Sequence, residues 1–326
     1  MKFKRILAAA LSCAIAATSL MAVTGCSDSD SKDKDSYKVG ICQLVQHEAL
    51  DAATQGFKDA LVEKLGEDKV TFDEQNASGD SATCTTIVNQ FVSSNVDLIM
   101  ANATPALQAA VAGTADIPVV GTSITDYGVA LGIDDFNGTT GSNVTGTSDA
   151  VPFDKQADMI KELVPDATKA GILYCSNEAN SKVQSDAAEA ELKNLGLDVT
   201  VYTFADSNDI AQVVTKACKE VQALYIPTDN KCADNATLIN DIAEPAGIPI
   251  IAGEEGICKG CGVATLTISY YNLGYAAGLQ AYDILANGKN AGEIEIGSGD
   301  PVYKYVPARC EKLNITVPEN YEAIAE

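Results

Sequence analysis

Past residue 36 the chain alternates short apolar runs with longer stretches whose apolar positions recur every three or four residues. Residues 38–42 (KVGIC) predict a strand, and Leu50, Ala53, Phe57, Leu61 and Leu65 mark one face of a helix that Gly66 closes. Residues 70–72 are the second strand, and Ile87, Val88, Phe91 and Val92 mark the next helix. A third strand at 97–100, a helix at 105–111 and a fourth strand at 117–120 follow. A second series opens near Phe153. It runs helix 155–163, strand 170–174, helix 179–195, strand 198–204, helix 210–221, strand 223–226, helix 233–246 and strand 248–252. After an apolar run at 263–269 comes one more helix, 273–285, with Gly274 and Gly278 for close packing.

The strand runs are apolar on consecutive residues, which fits parallel sheets covered on both faces. Strands alternating with helices imply right-handed crossovers and a doubly wound sheet. The expectation is therefore an α/β protein of two doubly wound parallel-sheet lobes joined by a multi-strand hinge. Lobe 1 would hold 37–148 plus about 271–289, and lobe 2 would hold 149–270 plus about 290–326.

The first residues point to export. Lys2, Lys4 and Arg5 precede an uncharged apolar stretch from Ile6 to Val23, followed at once by Thr24-Gly25-Cys26, which reads as a secretion signal over 1–25. Val23-Thr24-Gly25-Cys26 resembles a bacterial lipobox, which implies lipid on Cys26 and anchoring to the outer face of the cell membrane. Residues 27–36 (SDSDSKDKDS) carry no apolar side chain and form the greater part of a flexible tether at 26–36. Losing 1–25, with three cations and no acid, takes the formal charge from −23 to −26. Such a chain is repelled by nucleic acid and by anionic lipid surfaces, so nucleic acid is excluded as a partner. Eight cysteines remain after Cys13 and Cys26, at 42, 84, 175, 218, 232, 258, 261 and 310. Several fall in apolar strand or helix patterns, where a free thiol packs as a small hydrophobe; mostly free thiols are expected.

In open parallel sheets ligands bind beyond the carboxyl ends of the strands. Polar clusters sit at these places: Gln43, Gln46, His47 and Glu48; Gln75 and Asn76; Asn102, Thr104 and Pro105; Thr122, Ser123, Thr125 and Asp126. The second series offers Ser176, Asn177, Glu178 and Asn180; Asp206 and Ser207; Thr228, Asp229 and Asn230; Gly253, Glu254 and Glu255. Each could equally be a helix cap or turn residue. Residues 103–106 (ATPA) best suit a helix start whose free N–H groups take a carboxylate. No nucleophile is paired with His47, the one histidine, and phosphate-binding glycine motifs are missing. Cys258-Lys259-Gly260-Cys261 has no second ligand pair for zinc, so a disulfide or a glycine-rich turn is the better reading. No metal, cofactor or catalytic residue is expected.

Several segments carry a family resemblance: 39–51 (VGICQLVQHEALD), 102–108 (NATPALQ), 124–126 (ITD), 143–149 (NVTGTSD), 172–181 (ILYCSNEANS), 225–230 (YIPTDN) and 313–318 (LNITVP). From Tyr37 to Tyr321 the chain resembles the ABC-transporter substrate-binding family whose characterised members bind tryptophan, tyrosine or phenylalanine, a branch of the type I periplasmic-binding fold. The resemblance implies a monomeric solute-binding protein that serves an ABC permease and its ATPase and does no chemistry on its ligand. It implies that Thr104, Pro105 and Ala106 receive the ligand carboxylate and that Asp229, beside Asn230, meets the ammonium. His47, Asn76, Thr125, Asp126, Ser148, Asp149, Ser176 and Asn180 would complete the wall. Some relatives carry an acid where this chain has Ser269, a loss for which Glu254 and Glu255 could compensate. With no Trp, stacking would fall to Tyr127, Tyr270, Tyr271 or His47. The rivals are a sugar or nucleoside binder on the same fold, and a lipid-anchored redox protein using Cys258 and Cys261.

Overall fold

A computed structural model describes residues 36–325. The expected signal segment, Cys26 and the tether up to Asp35 lie outside the described residues. The first series comprises β1 (Tyr37–Gln43), α1 (Glu48–Leu65), β2 (Val70–Asn76), α2 (Ser81–Ser93), β3 (Leu98–Asn102), α3 (Thr104–Gly113), β4 (Val119–Ile124), α4 (Tyr127–Leu131) and β5 (Val144–Ser148). The second comprises α5 (Phe153–Leu163), β6 (Lys169–Cys175), α6 (Ala179–Asn194), β7 (Asp198–Phe204), α7 (Ile210–Glu220), β8 (Ala223–Ile226), α8 (Asn230–Asp234), α9 (Ala236–Ala243), β9 (Ile250–Ala252), α10 (Glu255–Cys261) and β10 (Ala264–Thr267). Then come α11 (Tyr270–Asn287), β11 (Val302–Tyr305), α12 (Pro307–Lys312) and β12 (Glu322–Ala323).

Two sheets result. The first is all parallel in the order β2-β1-β3-β4-β5. The second repeats that order as β7-β6-β8-β9-β10 and adds antiparallel β11 and then β12 at its far edge. The continuous apolar runs follow from two-sided burial. In β1, Val39 and Ile41 enter one core with Phe57 and Leu61, while Cys42 enters another with Phe91 and Ile99. In β8, Ala223 and Tyr225 join one core and Leu224 and Ile226 the other.

The helix that follows the second sheet returns to the first. α11 lies along α1 at backbone contact distance, because a Cβ on Gly274 would overlap the Ala53 backbone and one on Gly278 would sit 2.6 Å from the Phe57 carbonyl oxygen. Ala277, Ala281 and Ile284 then enter the core of β1 and α1. Three segments therefore link the halves: β5 to α5, β10 to α11, and α11 to β11. No helix among the described residues is long and apolar enough to cross a membrane.

Some local expectations change. The helix expected at 233–246 is two pieces broken at Asn235, because Asp229 caps an earlier short turn, accepting from Cys232 N. Residues 258–261, expected as a disulfide or a glycine-rich turn, are the closing turn of helix α10 without a disulfide, and all eight cysteines from Cys42 to Cys310 are free thiols.

Gly274→Ala tests the contact between α1 and α11. Alanine ordinarily favours a helix interior over glycine, but here the added methyl must displace backbone. The substitution is expected to lower unfolding free energy by about 1–3 kcal/mol in denaturant titration; unchanged or raised stability would contradict the packing.

Candidate functional site

The strands β1 to β10 deliver the chain to one region, and residues just beyond their ends enclose two adjoining cavities. The inner one, about 10 Å³, is lined from the first series by His47, Leu50, Ser123 and Thr125, and by Asp149 in the segment that follows β5. From the second come Asn180, Thr228, Asp229, Asn230, Ala233 and Glu254, with Tyr270 at the start of α11. The outer cavity, about 230 Å³, has Leu44, Val45, Pro105 and Ala205 among its apolar walls and Asn177, Glu178 and Lys231 among its polar ones. Asn230 borders both. The halves touch across this space. His47 Nε2 lies 3.2 Å from Asn230 Oδ1, Gln184 Nε2 donates to Thr125 Oγ1 at 3.2 Å, and Lys259 pairs with Glu48 at the rim.

Many of the polar side chains are already engaged by helix starts. Asp229 is 1 % exposed, and it accepts from Cys232 N through Oδ1 and from Cys175 N and Ser181 Oγ through Oδ2, both at 2.7 Å. The expected ammonium partner is thus held by the scaffold. Glu254 accepts from the N–H groups of Gly256 and Ile257 and caps α10. Asp126 caps α4 through Val129 N, and exposed Asn76 accepts from Ser78 N in a turn. Ser148 donates to the Thr125 carbonyl and Ser176 to the Phe204 carbonyl. Of the residues expected in the wall, His47, Thr125, Asp149, Asn180, Asp229, Asn230 and Glu254 meet at the inner cavity. Pro105 reaches the outer one, whereas Asn76, Thr104, Ala106, Asp126, Ser148 and Ser176 line neither. Leu50 and Ala233 had no sequence signal, since apolar helix positions look like core. Tyr270 stood out only as an aromatic.

What remains is a set of bare polar atoms. Seven buried side-chain polar atoms among the described residues lack a partner, and four of them belong to the inner cavity: His47 Nδ1, Ser123 Oγ, Asp149 Oδ1 and Asn180 Oδ1. Buried polar groups are otherwise almost always paired, so such a cluster marks a place for another molecule. Asp149 Oδ2 accepts from Tyr270 OH at 2.7 Å, which leaves its second oxygen free. Ser123 sits at φ +58 in β4, a left-handed conformation rare for serine.

Burial shapes the charges. It raises the Asp149 carboxyl above its usual range, against the hydrogen bond from Tyr270 OH. It lowers the His47 imidazole, so that the ring is neutral near pH 7. Desolvation also pushes Glu178 and Glu254 up to about 7. The thiols of Cys258 and Cys261 are buried, and burial raises Cys261 to about 12, which removes the thiolate a redox pair needs.

A sequence profile of the ABC transporter substrate binding protein family matches residues 38–326. A protein named tyrosine-binding protein from Clostridioides difficile (strain R20291) is 37 % identical over 290 residues, spanning 85 % of this chain and 84 % of that protein. The crystal structure of an ABC domain in complex with L-Trp from Streptococcus pneumonia superimposes with a TM-score of 0.84 at 30 % identity, covering 89 % of this chain and all of that one (100 %). The ligand-free, open structure of a Clostridium difficile substrate-binding protein with adhesive properties gives 0.67 at 35 % identity, covering 88 % of this chain and 99 % of that one. The arrangement found here is thus nearer the L-Trp complex than the open structure, although the latter is the more similar sequence.

Glu254 makes a pH prediction. Its folded-state value, about 7, lies above the ordinary 4.5, so the fold binds this proton more tightly than the unfolded chain does. Its stabilising contribution is therefore complete below the ordinary value and is lost as pH rises through about 7. The melting temperature is expected to fall from about pH 5 to about pH 8, and to fall less steeply in Glu254→Gln. Scanning calorimetry across that range checks it; an equal slope in the variant would refute the assignment.

Proposed function

We propose that this chain, which belongs to the ABC transporter substrate-binding protein family, captures an amino acid between its two lobes and holds the ammonium group in the inner cavity. One observation carries the reading: Asp149 Oδ1, Asn180 Oδ1 and His47 Nδ1 are buried polar atoms without partners around a space of about 10 Å³. That is room for one water-sized group. A primary ammonium offers three N–H donors from a single heavy atom, and Asp149 supplies the opposing charge. Pro105 brings the start of α3 to the outer cavity, where helix N–H groups suit a carboxylate. The apolar part of the outer wall suits a large side chain. The tyrosine-binding relative and the L-Trp complex favour an aromatic one: phenylalanine, tyrosine or tryptophan.

Capture is reversible and the solute leaves unchanged. Lobe 1 (37–148 with about 271–289) and lobe 2 (149–270 with about 290–326) part to admit the ligand and close on it, a hinge motion biased by ligand contacts with both lobes. Lipid on Cys26 holds the protein at the outer face of the membrane beside a permease and its ATPase, to which the loaded form delivers. Nucleic acid has no part in this.

Calorimetry tests the ligand. L-tyrosine, L-phenylalanine or L-tryptophan should bind, and the corresponding deaminated acids should not. Asp149→Asn should weaken binding by roughly a hundredfold, the cost of losing a charge-assisted hydrogen bond in a buried site. Heat with a pentose or hexose and none with any amino acid would overturn the reading. Mass spectrometry of the mature N-terminus tests the anchor: a lipid-modified Cys26 is expected, and an unmodified terminus elsewhere refutes it.

A further inference from the structure

Glu178 lies just outside the inner cavity and is buried, yet the reading above gives it no role. Oε2 accepts from the backbone N of Asn230 at 3.0 Å, from Asn230 Nδ2 at 2.7 Å and from Asn180 Nδ2 at 3.3 Å, and Oε1 accepts from Lys231 N at 3.0 Å. A carboxylate only accepts, so both side-chain amides must turn their nitrogens toward it. For Asn230 this leaves Oδ1 facing lobe 1, 3.2 Å from His47 Nε2. An amide oxygen cannot donate, so His47 Nε2 must carry the proton. A neutral imidazole has one N–H, which leaves Nδ1 as an acceptor. That atom is buried and has no protein partner. For Asn180, whose Nδ2 also donates to the Thr228 carbonyl at 2.9 Å, the same orientation leaves Oδ1 bare.

We propose that Glu178 is a positioning residue that sets the hydrogen-bond polarity of the inner cavity, fixing Asn180 directly and His47 through Asn230 so that both present acceptors to the ligand's ammonium. The proposal rests on the amino-acid reading for its ligand. With either amide reversed, the cavity would present N–H donors, and an ammonium would meet donors instead of lone pairs. The relay spans the cleft, so the acceptor on His47 is set by a residue of the opposite lobe and is complete only when the lobes meet.

A plain capping role for Glu178, through the N–H groups of Asn230 and Lys231, would leave the histidine tautomer untouched. The test therefore reads the tautomer. His47 is the one histidine of the chain, so [15N]histidine labelling gives a single imidazole in the NMR spectrum. At about pH 8, where Glu178 is ionised, the protein closed on saturating L-tyrosine should show the Nε2–H tautomer, with the Nδ1 resonance shifted from its ligand-free position. In Glu178→Gln the tautomer should become mixed or reversed, and L-tyrosine affinity should fall roughly tenfold to a hundredfold. Asn230→Leu keeps the carboxylate on the backbone N–H groups but removes the amide; it should lose the tautomer preference while melting near the wild-type temperature, and it decides the matter if Glu178→Gln does not fold. An Nδ1–H tautomer in the wild type, or an unchanged tautomer in Asn230→Leu, overturns the relay. Absence of amino-acid binding overturns the ligand reading alone, and an Nε2–H tautomer with whichever solute does close the cleft then upholds the relay.

Discussion

In a parallel sheet wound with helices, every strand delivers the chain to a helix whose first N–H groups have no carbonyl one turn earlier. Those unpaired donors all collect on one edge, and in this protein two such edges face each other. The constraint decides which polar residues are available for anything else. Asp80, Asp126, Asp229, Glu254 and Ser269 each accept from the N–H groups of the helix they precede. Three of the acids among them sit at the cleft or its rim, so side chains that look like ligand contacts are largely scaffold. The atoms left over at the inner cavity are few, and their scarcity is what makes them informative.

The polar contacts that the protein makes across the gap are weak. The pair between Lys259 and Glu48 is solvent-exposed at the rim, where such pairs contribute little. The two neutral hydrogen bonds, His47 to Asn230 and Gln184 to Thr125, are at 3.2 Å. By contrast, α11 is fastened to α1 by backbone contact through Gly56, Gly274 and Gly278, so the return segment belongs rigidly with the first sheet. A stiff attachment on one side and sparse polar contacts across the gap are what a hinge requires.

The fold was legible because two-sided burial writes itself into the chain as consecutive apolar residues, as in β3 and β8, and because Gly66 closes the first helix on cue. What escaped was what tertiary context decides. β5 (VTGTS) is small and half polar, and it is buried because α11 and residue 294 cover it, with Thr145 Oγ1 donating to the Ile294 carbonyl. β11, α12 and β12 are too short and too exposed to leave a pattern. At the site, the rule that ligands sit beyond strand ends placed His47, Thr125, Asn180, Asp229, Asn230 and Glu254 together, and the family resemblance added Asp149. The rule could not rank them, since capping and ligand binding use the same residue types. Asp229 looked the better ammonium partner, and only its three hydrogen bonds showed that Asp149 has the free oxygen.

The same bare acceptors explain how closure can depend on the ligand. On the proposed reading, Asp149 Oδ1, Asn180 Oδ1 and His47 Nδ1, which are buried and unpartnered here, would lose water as the lobes meet. Each acceptor left without a donor costs about 1–3 kcal/mol, and more where it carries charge. In the open form water satisfies them at no such cost. A ligand lacking donors would bring the lobes together against the full penalty, whereas an ammonium removes it and adds attraction to Asp149. On the proposed reading, the free-energy difference between these cases rivals anything the rim contacts supply, so the buried polar atoms, and not the apolar walls, would select which solute closes the cleft.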